Sequence, residues 1–342
     1  MRYGIFFQLP VHHNQTDSER YRETIEQCVF AEDLGFHSAW LAEAHFHPSF
    51  SAVPAPLVLL AAIAAKTKRL RLGTAGVLVP LHHPLRIAED AATLDVLSEG
   101  RLELGVGRGS WSIQFSGLGV STSESDSRFS EGLEVVRQVL GEHHIAHRGK
   151  HWQIPEMQLT PRPLQNPVPI RITANSHNST AWAGSRGYPL MTGTVSHPLP
   201  DELESQIEAY RDSFRPGVGG DHPEISLILP LYVGASASDA RSEFEPSLKQ
   251  YMRVIGGDVS WDYARKKMGI LGSAGEVRAQ ALQLITEPDL ADFIGWFNVG
   301  GRIPHARVMK AMERFAREVR PALDEACARG PAVESSLSSR YR

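Results

Sequence analysis

Cysteine is scarce in this sequence of 342 residues, which contains only Cys28 and Cys327. Two thiols so far apart exclude a disulfide-stapled scaffold and a cysteine-rich metal cluster. Positive charge is not in surplus either, because 35 Lys and Arg residues face 39 Asp and Glu residues and give a formal net charge of −4. Without a basic surplus or a dense Lys/Arg run, the chain lacks the electrostatic footprint of a nucleic-acid-binding protein.

Long apolar runs are also missing. The N-terminal run that begins at Tyr3 ends at Pro10 and is too short for the hydrophobic region of a signal peptide. No window approaches the roughly 18 consecutive apolar residues of a transmembrane helix. We therefore expect a soluble, cytoplasmic globular protein.

Short β-rich runs alternate with helical patterns along most of the chain. Eight such strand–helix units predict a single (β/α)8 barrel, an α/β fold, over residues 1–329, with insertions in the βα loops. An open doubly wound sheet is the alternative, but it normally stops at five or six strands. Residues 330–342 are expected to form a disordered tail. The predicted strands are 3–7, 38–41, 70–79, 101–106, 170–174, 189–192, 225–233 and 292–298.

Two connections are less regular. Residues 141–168 contain four prolines and no long helical period, so we expect an excursion with a short hairpin. Residues 256–269 are mixed and polar, and we predict a mobile loop there that covers the site as a lid.

Active sites of such barrels lie at the C-terminal ends of the strands, which selects two turns. Gly107-Arg108-Gly109-Ser110 follows the fourth predicted strand, and Asn175-Ser176-His177-Asn178-Ser179 follows the fifth. Each precedes a helix or helical turn, whose N-terminus favours an anion, and Arg108 can contact phosphate oxygens in a bidentate manner. Arg108 could equally form a surface ion pair, and Ser176 and Ser179 could be ordinary helix caps.

Histidine is plentiful, with 15 residues that often come in pairs. His45 and His47 follow the second strand at a spacing that can bind one metal ion, and Glu43 can add a carboxylate. This leaves a metal-dependent hydrolase as an alternative function. However, later strand ends offer few further ligands, and His47 beside Pro48 is more simply a loop histidine. We therefore predict no metal site.

Several segments, taken in order, resemble bacterial luciferase-like, flavin-dependent monooxygenases. The resemblance is dense over residues 1–195 and thinner beyond. It is carried by Tyr3-Gly4-Ile5-Phe6, Trp40-Leu41-Ala42-Glu43-Ala44-His45-Phe46, Leu72-Gly73-Thr74-Ala75-Gly76-Val77, Gly100-Arg101-Leu102-Glu103-Leu104-Gly105-Val106-Gly107-Arg108-Gly109 and Ala174-Asn175-Ser176-His177-Asn178-Ser179.

The resemblance implies a (β/α)8 barrel that binds reduced FMN at its C-terminal mouth. There the flavin reacts with O2 to a C4a-peroxyflavin, which oxygenates a small organic substrate. A separate reductase supplies the reduced FMN. The apolar helix at 55–65, together with the family analogy, suggests a homodimer. Carried over by position, Arg108 with Asn175, Ser176 and Ser179 would hold the FMN phosphate, Ala75-Gly76 would be a cis peptide against the flavin ring, and Glu43 and His45 would face the flavin.

Two departures from the family pattern bear on the chemistry. Ala44 stands where luciferase has a catalytic histidine, and Gly107 matches its flavin-proximal cysteine. Light emission from a long-chain aldehyde is therefore not expected. His45 is then the candidate acid or base, with His83 or His12 as substitutes. Hydride transfer with the deazaflavin F420 on the same barrel, or a flavin-free subunit without catalysis, remain alternatives.

Overall fold

The computed structural model describes residues 1–11, 15–193, 200–285, 287 and 289–329. The predicted tail at 330–342 and His12 lie outside the described residues. The strands are β1 (Arg2–Phe7), β2 (Ser38–Leu41), β3 (Arg71–Thr74), β4 (Val77–Leu78), β5 (Leu102–Gly107), β6 (Ile145–Arg148), β7 (Gln153–Met157), β8 (Ile170–Thr173), β9 (Leu190–Gly193), β10 (Ile225–Gly234), β11 (Ile270–Ser273) and β12 (Leu290–Trp296).

Eight parallel strands close into a barrel in the order β1, β2, β3, β5, β8, β9, β10 and β12. The ring is complete because β10 pairs with both β9 and β12, and β12 pairs with β1. All ten residues of β10 are buried, as expected for a strand covered on both faces. The predicted (β/α)8 barrel is thereby confirmed.

Helices surround this barrel and connect its strands. Polar caps set several of their starts: Thr16 and Glu19 form a capping box at α1. Ser236 caps the helix that begins at Ala237 by accepting the N–H of Asp239. The helices are α1 (Asp17–Asp33), α2 (Pro56–Ala64), α3 (Pro84–Leu97), α4 (Ser112–Gly117), α5 (Ser125–Gly141), α6 (His177–Ser185), α7 (Pro200–Ser213), α8 (Ala237–Val254), α9 (Trp261–Tyr263), α10 (Ala274–Leu284), α11 (His305–Arg314) and α12 (Arg320–Arg329).

The strand predicted over 70–79 is interrupted. Its two parts, β3 and β4, both pair with β5, but between the two pairings the chain uses one more residue than β5 does. The extra residue falls at Ala75-Gly76, whose peptide bond is cis. The interruption therefore places this peptide at the C-terminal edge of the barrel.

The two irregular connections have different outcomes. The excursion at 141–168 contains the expected hairpin, in which β6 and β7 pair antiparallel. The prediction of a loop over the whole of 256–269 is wrong: α9 continues as a π-helical turn over Ala264–Met268, and Trp261 and Met268 are buried. Burial of these apolar residues favours the helical turn over a polar loop.

Charged side chains occupy the N-terminal end of the barrel. Arg171 on β8 is buried, and its guanidinium contacts Glu224 (2.6 Å), Asp292 (3.5 Å) and Glu103 (3.5 Å). Arg2 and Arg71 complete the cluster, so three arginines balance three carboxylates. Such a buried network is stable only when every charge is paired.

Among the helices that the structure describes, none is long and apolar enough to cross a lipid bilayer.

Candidate active site

The turns that follow β5 and β8 lie side by side at the C-terminal mouth. Gly107, the last residue of β5, is the register partner of Thr173, the last residue of β8. Arg108 therefore leaves the barrel beside the turn that leads into α6. Ser176 caps α6, and its hydroxyl lies 2.6 Å from that of Ser179. A guanidinium, two hydroxyls and a helix N-terminus at one edge of the mouth suit a phosphate group.

Two predicted phosphate residues already have partners within the protein. The exposed Arg108 guanidinium donates to Asp126 on α5. An exposed ion pair of this kind contributes little free energy, so a phosphate can replace Asp126. The Asn175 carboxamide oxygen accepts hydrogen bonds from the Thr192 hydroxyl (3.1 Å) and the Gly193 N–H (3.3 Å). Asn175 thus ties the turn to β9, and its contact with a cofactor stays a prediction.

The cis peptide at Ala75-Gly76 lies between this edge and the loop after β2. A Cβ on Gly76 would lie 2.8 Å from the Thr173 hydroxyl and 2.9 Å from the backbone of Gly105, so only glycine fits. The Thr173 hydroxyl is buried and has no hydrogen-bond partner among the residues that the structure describes. A buried polar group of this kind calls for a partner. These residues fit a flavin: Arg108 and Ser176 would hold its phosphate, and the Thr173 hydroxyl beside Gly76 would supply a hydrogen-bond partner for its ring.

Glu43, His45 and His82 form a buried cluster beside the cis peptide. One Glu43 carboxylate oxygen (Oε1) lies 2.7 Å from His45 Nε2 and 2.6 Å from His82 Nε2. The other oxygen accepts the N–H of Leu78 on β4 at 3.1 Å. The cluster therefore joins the loop after β2 to the strand that follows the cis peptide.

The pKa values of Glu43 and His82 shift in opposite directions. Burial alone would raise the pKa of Glu43, but the hydrogen bonds from His45 and His82 outweigh it and lower that pKa. Burial alone would lower the pKa of His82, but its hydrogen bond to Glu43 and the Glu43 charge raise it. Glu43 is thus a carboxylate at neutral pH, and each imidazole presents a proton to it.

His83, and not His82, is the substitute for His45 that the sequence predicts. The structure places His82 in the cluster, whereas His83 is exposed and caps α3 by accepting the N–H of Leu85. A usable signal was present, because His82 follows β4 and β4 ends at the same edge of the barrel as β2. The rule that selects residues at strand ends therefore selects His82 as well.

The proposed His45–His47 metal pair does not form. His45 is joined to Glu43 and His82, while the His47 ring lies 4.9 Å from the Trp111 ring. His47 belongs to a series of aromatic contacts that crosses the mouth from the barrel interior to its rim. The members are Phe6, Trp296, Tyr251, Phe50, Trp111 and His47. This aromatic side of the mouth extends from β1 and β12 to Trp111, three residues after Arg108.

A groove of about 1240 Å³ runs along the outer side of the loop that follows β2. It is lined by α1, the loop residues that follow β2, and Met309 of α11. His45 and Phe46 both line it. The cluster therefore borders this groove through His45, on the side opposite the phosphate-type turns.

Comparison with known families and proteins agrees with this geometry. The family described as luciferase-like monooxygenase matches residues 1–300. The oxygenase component of a flavin-dependent trigonelline monooxygenase from Acinetobacter baylyi is 28% identical over 352 residues, which cover 95% of this chain and 96% of the relative.

Solved structures show the same fold. The monooxygenase RslO1 from Streptomyces bottropensis superposes with a TM-score of 0.83 at 29% identity, and the match covers 94% of this chain and all of that one. An F420-dependent secondary alcohol dehydrogenase superposes with a TM-score of 0.72 at 20% identity, with 94% and 98% covered. The fold is thus shared by proteins that use different cofactors.

Proposed function

The chain belongs to the luciferase-like monooxygenase family, and on this premise we propose that it is the oxygenase component of a two-component, FMN-dependent monooxygenase. Its reaction would use reduced FMN and O2 to oxygenate a small organic substrate. The observation that carries this cofactor site is the alignment along one edge of Arg108, the Ser176–Ser179 turn and the Thr173 hydroxyl, which has no hydrogen-bond partner among the described residues. These groups match a phosphate and a polar ring held next to the cis peptide. The choice of FMN over F420 rests on the trigonelline relative, which is named flavin-dependent.

Each group has a distinct role in this proposal. Arg108, Ser176 and Ser179 bind the phosphate. Asn175 holds the turn that contains the two serines. Ala75-Gly76 supports the ring, whose oxygen chemistry the cofactor itself supplies when it is bound. His45, whose Nε2–H donates to Glu43, is the proposed acid or base of the reaction. Glu43 orients His45 by accepting that proton's hydrogen bond.

A separate reductase is proposed as the source of reduced FMN. The trigonelline relative is named an oxygenase component, and it matches this chain over nearly the full length of both proteins. We infer that this chain likewise receives reduced FMN from a separate reductase. The aromatic side of the mouth would receive the organic substrate.

The proposed function is tested with photoreduced FMN and with reduced F420 in parallel. Binding is followed by the change in cofactor fluorescence without oxygen, and the FMN complex is then mixed with oxygenated buffer and a panel of aldehydes and ketones. We expect tight binding of reduced FMN and incorporation of one oxygen atom from ¹⁸O2 into a product. Selective binding of F420, or no binding of either cofactor, would contradict the proposal.

Replacement of Arg108 tests the phosphate site. We expect Arg108→Ala to weaken FMN binding by about 1.5–3 kcal/mol, the usual contribution of a hydrogen bond to a charged group. Equilibrium titration measures the change, and riboflavin, which lacks the phosphate, serves as the control ligand. An equal loss of affinity for riboflavin, or no loss of affinity for FMN, would show that Arg108 does not bind the phosphate.

A homodimer is proposed through the outer faces of α2 and α3. Val58 on α2 and Leu97 on α3 are apolar yet largely exposed, at 72% and 59%. α2 is the apolar helix whose composition indicates a subunit interface, and Val58 lies on its exposed face. We expect Val58→Glu to halve the molar mass measured by light scattering after size exclusion and to leave the circular dichroism spectrum unchanged. Val218→Glu, an exposed apolar site on the turn before β10, should keep the wild-type mass. A wild-type mass of one chain would refute the dimer.

A further inference from the structure

We propose that Glu43, His45 and His82 form a binding site for a divalent transition-metal ion of the Zn²⁺ type, and that the bound ion inhibits the enzyme. The three side chains offer one ligand atom each, and these atoms lie within 4.8 Å of one another. Two imidazole nitrogens with one carboxylate oxygen are the ligand set of many three-residue zinc sites. The same set is poorly suited to Mg²⁺ or Ca²⁺, which prefer oxygen ligands.

The geometry is close to that of a metal centre. Both Nε2 atoms point at the same oxygen, Oε1 of Glu43, from 2.7 and 2.6 Å. A metal at about 2.0–2.2 Å from each ligand places tetrahedral ligand atoms about 3.3–3.6 Å apart, so each Nε2 has to move about 0.6–1 Å away from Oε1. It would replace the two protons that now lie between the imidazoles and the carboxylate.

The surroundings already contain the supporting contact that metal-ligating carboxylates require. The second oxygen of Glu43 accepts the N–H of Leu78, which turns Oε1 toward the two histidines. Outer contacts of this kind orient the ligands of metal sites. The carboxylate and His45 are almost fully enclosed, at 1% and 9% exposure, whereas the His82 side chain is 32% exposed. An ion can therefore enter past His82, and a water molecule can complete the four ligands there.

Occupancy of this site would block the proposed proton transfer. The metal takes the Nε2 lone pair of His45, so this nitrogen can no longer hold a proton. Inhibition rests on the proposed function, but binding of the ion does not. Binding is therefore measured on the flavin-free protein, so that failure of one proposal can be told from failure of the other.

The test is a titration of the chelator-treated full chain with Zn²⁺, followed by competition with a chromophoric chelator and by the visible absorption of a Co²⁺-substituted sample. We expect one ion per chain and the absorption of four-coordinate Co²⁺. Loss of an outer contact alone costs 10–100-fold in metal affinity, so we expect His82→Ala and Glu43→Gln to weaken Zn²⁺ binding by more than about 100-fold. Added Zn²⁺ should inhibit wild-type oxygenation.

The matched control is His83→Asn, which removes the neighbouring imidazole but retains a side chain able to cap α3. It should bind Zn²⁺ like the wild type. Glu43→Gln keeps an oxygen for the Leu78 N–H, so it provides a folded variant if His82→Ala is unstable. The proposal is overturned if the wild type binds no stoichiometric ion, or if His82→Ala and His83→Asn bind it equally well.

Discussion

Replacement of His45 by alanine should lower the rate of substrate oxygenation by about 10²–10⁴-fold, the range that a positioned acid or base contributes. The affinity for reduced FMN should stay nearly unchanged, because the residues proposed to bind its phosphate, Arg108 and Ser176, follow other strands. Single-turnover kinetics with preformed reduced FMN complex separate the two quantities. Glu43 keeps its hydrogen bonds to His82 and to the Leu78 N–H in this variant, so the loop after β2 stays joined to the segment that follows the cis peptide.

Chemical rescue distinguishes proton transfer from packing. His45 lines the outer groove, so free imidazole can reach the space that the truncated side chain leaves. We expect added imidazole to restore part of the rate of His45→Ala, with a dependence on pH that follows imidazole. Full activity of His45→Ala without imidazole would reduce His45 to a packing residue. A loss that imidazole cannot restore, together with a loss of FMN affinity, would point to a structural role.

Replacement of Arg171 by methionine should destabilise the fold by about 3–5 kcal/mol, because it leaves buried carboxylates without their shared cation. Arg171 contacts Glu103, Glu224 and Asp292 at once, and Arg2 and Arg71 cannot neutralise all three. Urea denaturation at neutral pH measures the loss. The control is Arg317→Met, which removes the ion pair between the exposed Arg317 side chain and Glu313 of α11. This control should cost about 0.3–0.5 kcal/mol.

The effect of Arg171→Met should shrink in acid. Burial raises the pKa of Glu224, but the charges of Arg171 and Arg2 outweigh burial and lower it. A lowered pKa means that this contribution is present above the unfolded value of about 4.3 and is lost as the pH falls through the folded value. The difference in stability between wild type and variant should therefore narrow below about pH 4. A difference that is constant down to that range would exclude the ionic cause.

The barrel could be predicted from the sequence because its signal is local and repeated. Strands such as β2, Ser38–Leu41, are short apolar runs bounded by turn residues, and their number alone favours a closed barrel over an open sheet. The break at Ala75-Gly76 gives no such local signal. Leucine, glycine and valine continue the apolar pattern across it, and only pairing with β5 shows that one residue is in excess.

The site was predictable in its parts but not in its connections. Strand-end positions selected Glu43, His45, Arg108 and Ser176 individually. The bond from Glu43 to His82 joins residues 39 positions apart, and no spacing rule reports a contact of that range. For the same reason the helical turn at Ala264–Met268 was missed, since its stability comes from burial of Met268 rather than from its own polar composition.

The hydrogen bond between Leu78 and Glu43 connects the cluster of Glu43, His45 and His82 to the segment that contains Ala75-Gly76, the peptide proposed to support the flavin ring. Leu78 is only two residues beyond Gly76, so we expect a movement of the Glu43 carboxylate to shift the peptide that would support the ring. A substitution at Glu43 therefore changes chemistry and geometry together. His82 hydrogen bonds to the Glu43 oxygen that Leu78 does not use, which makes it the position where the protonation of the cluster can be altered while the Leu78–Glu43 hydrogen bond stays in place.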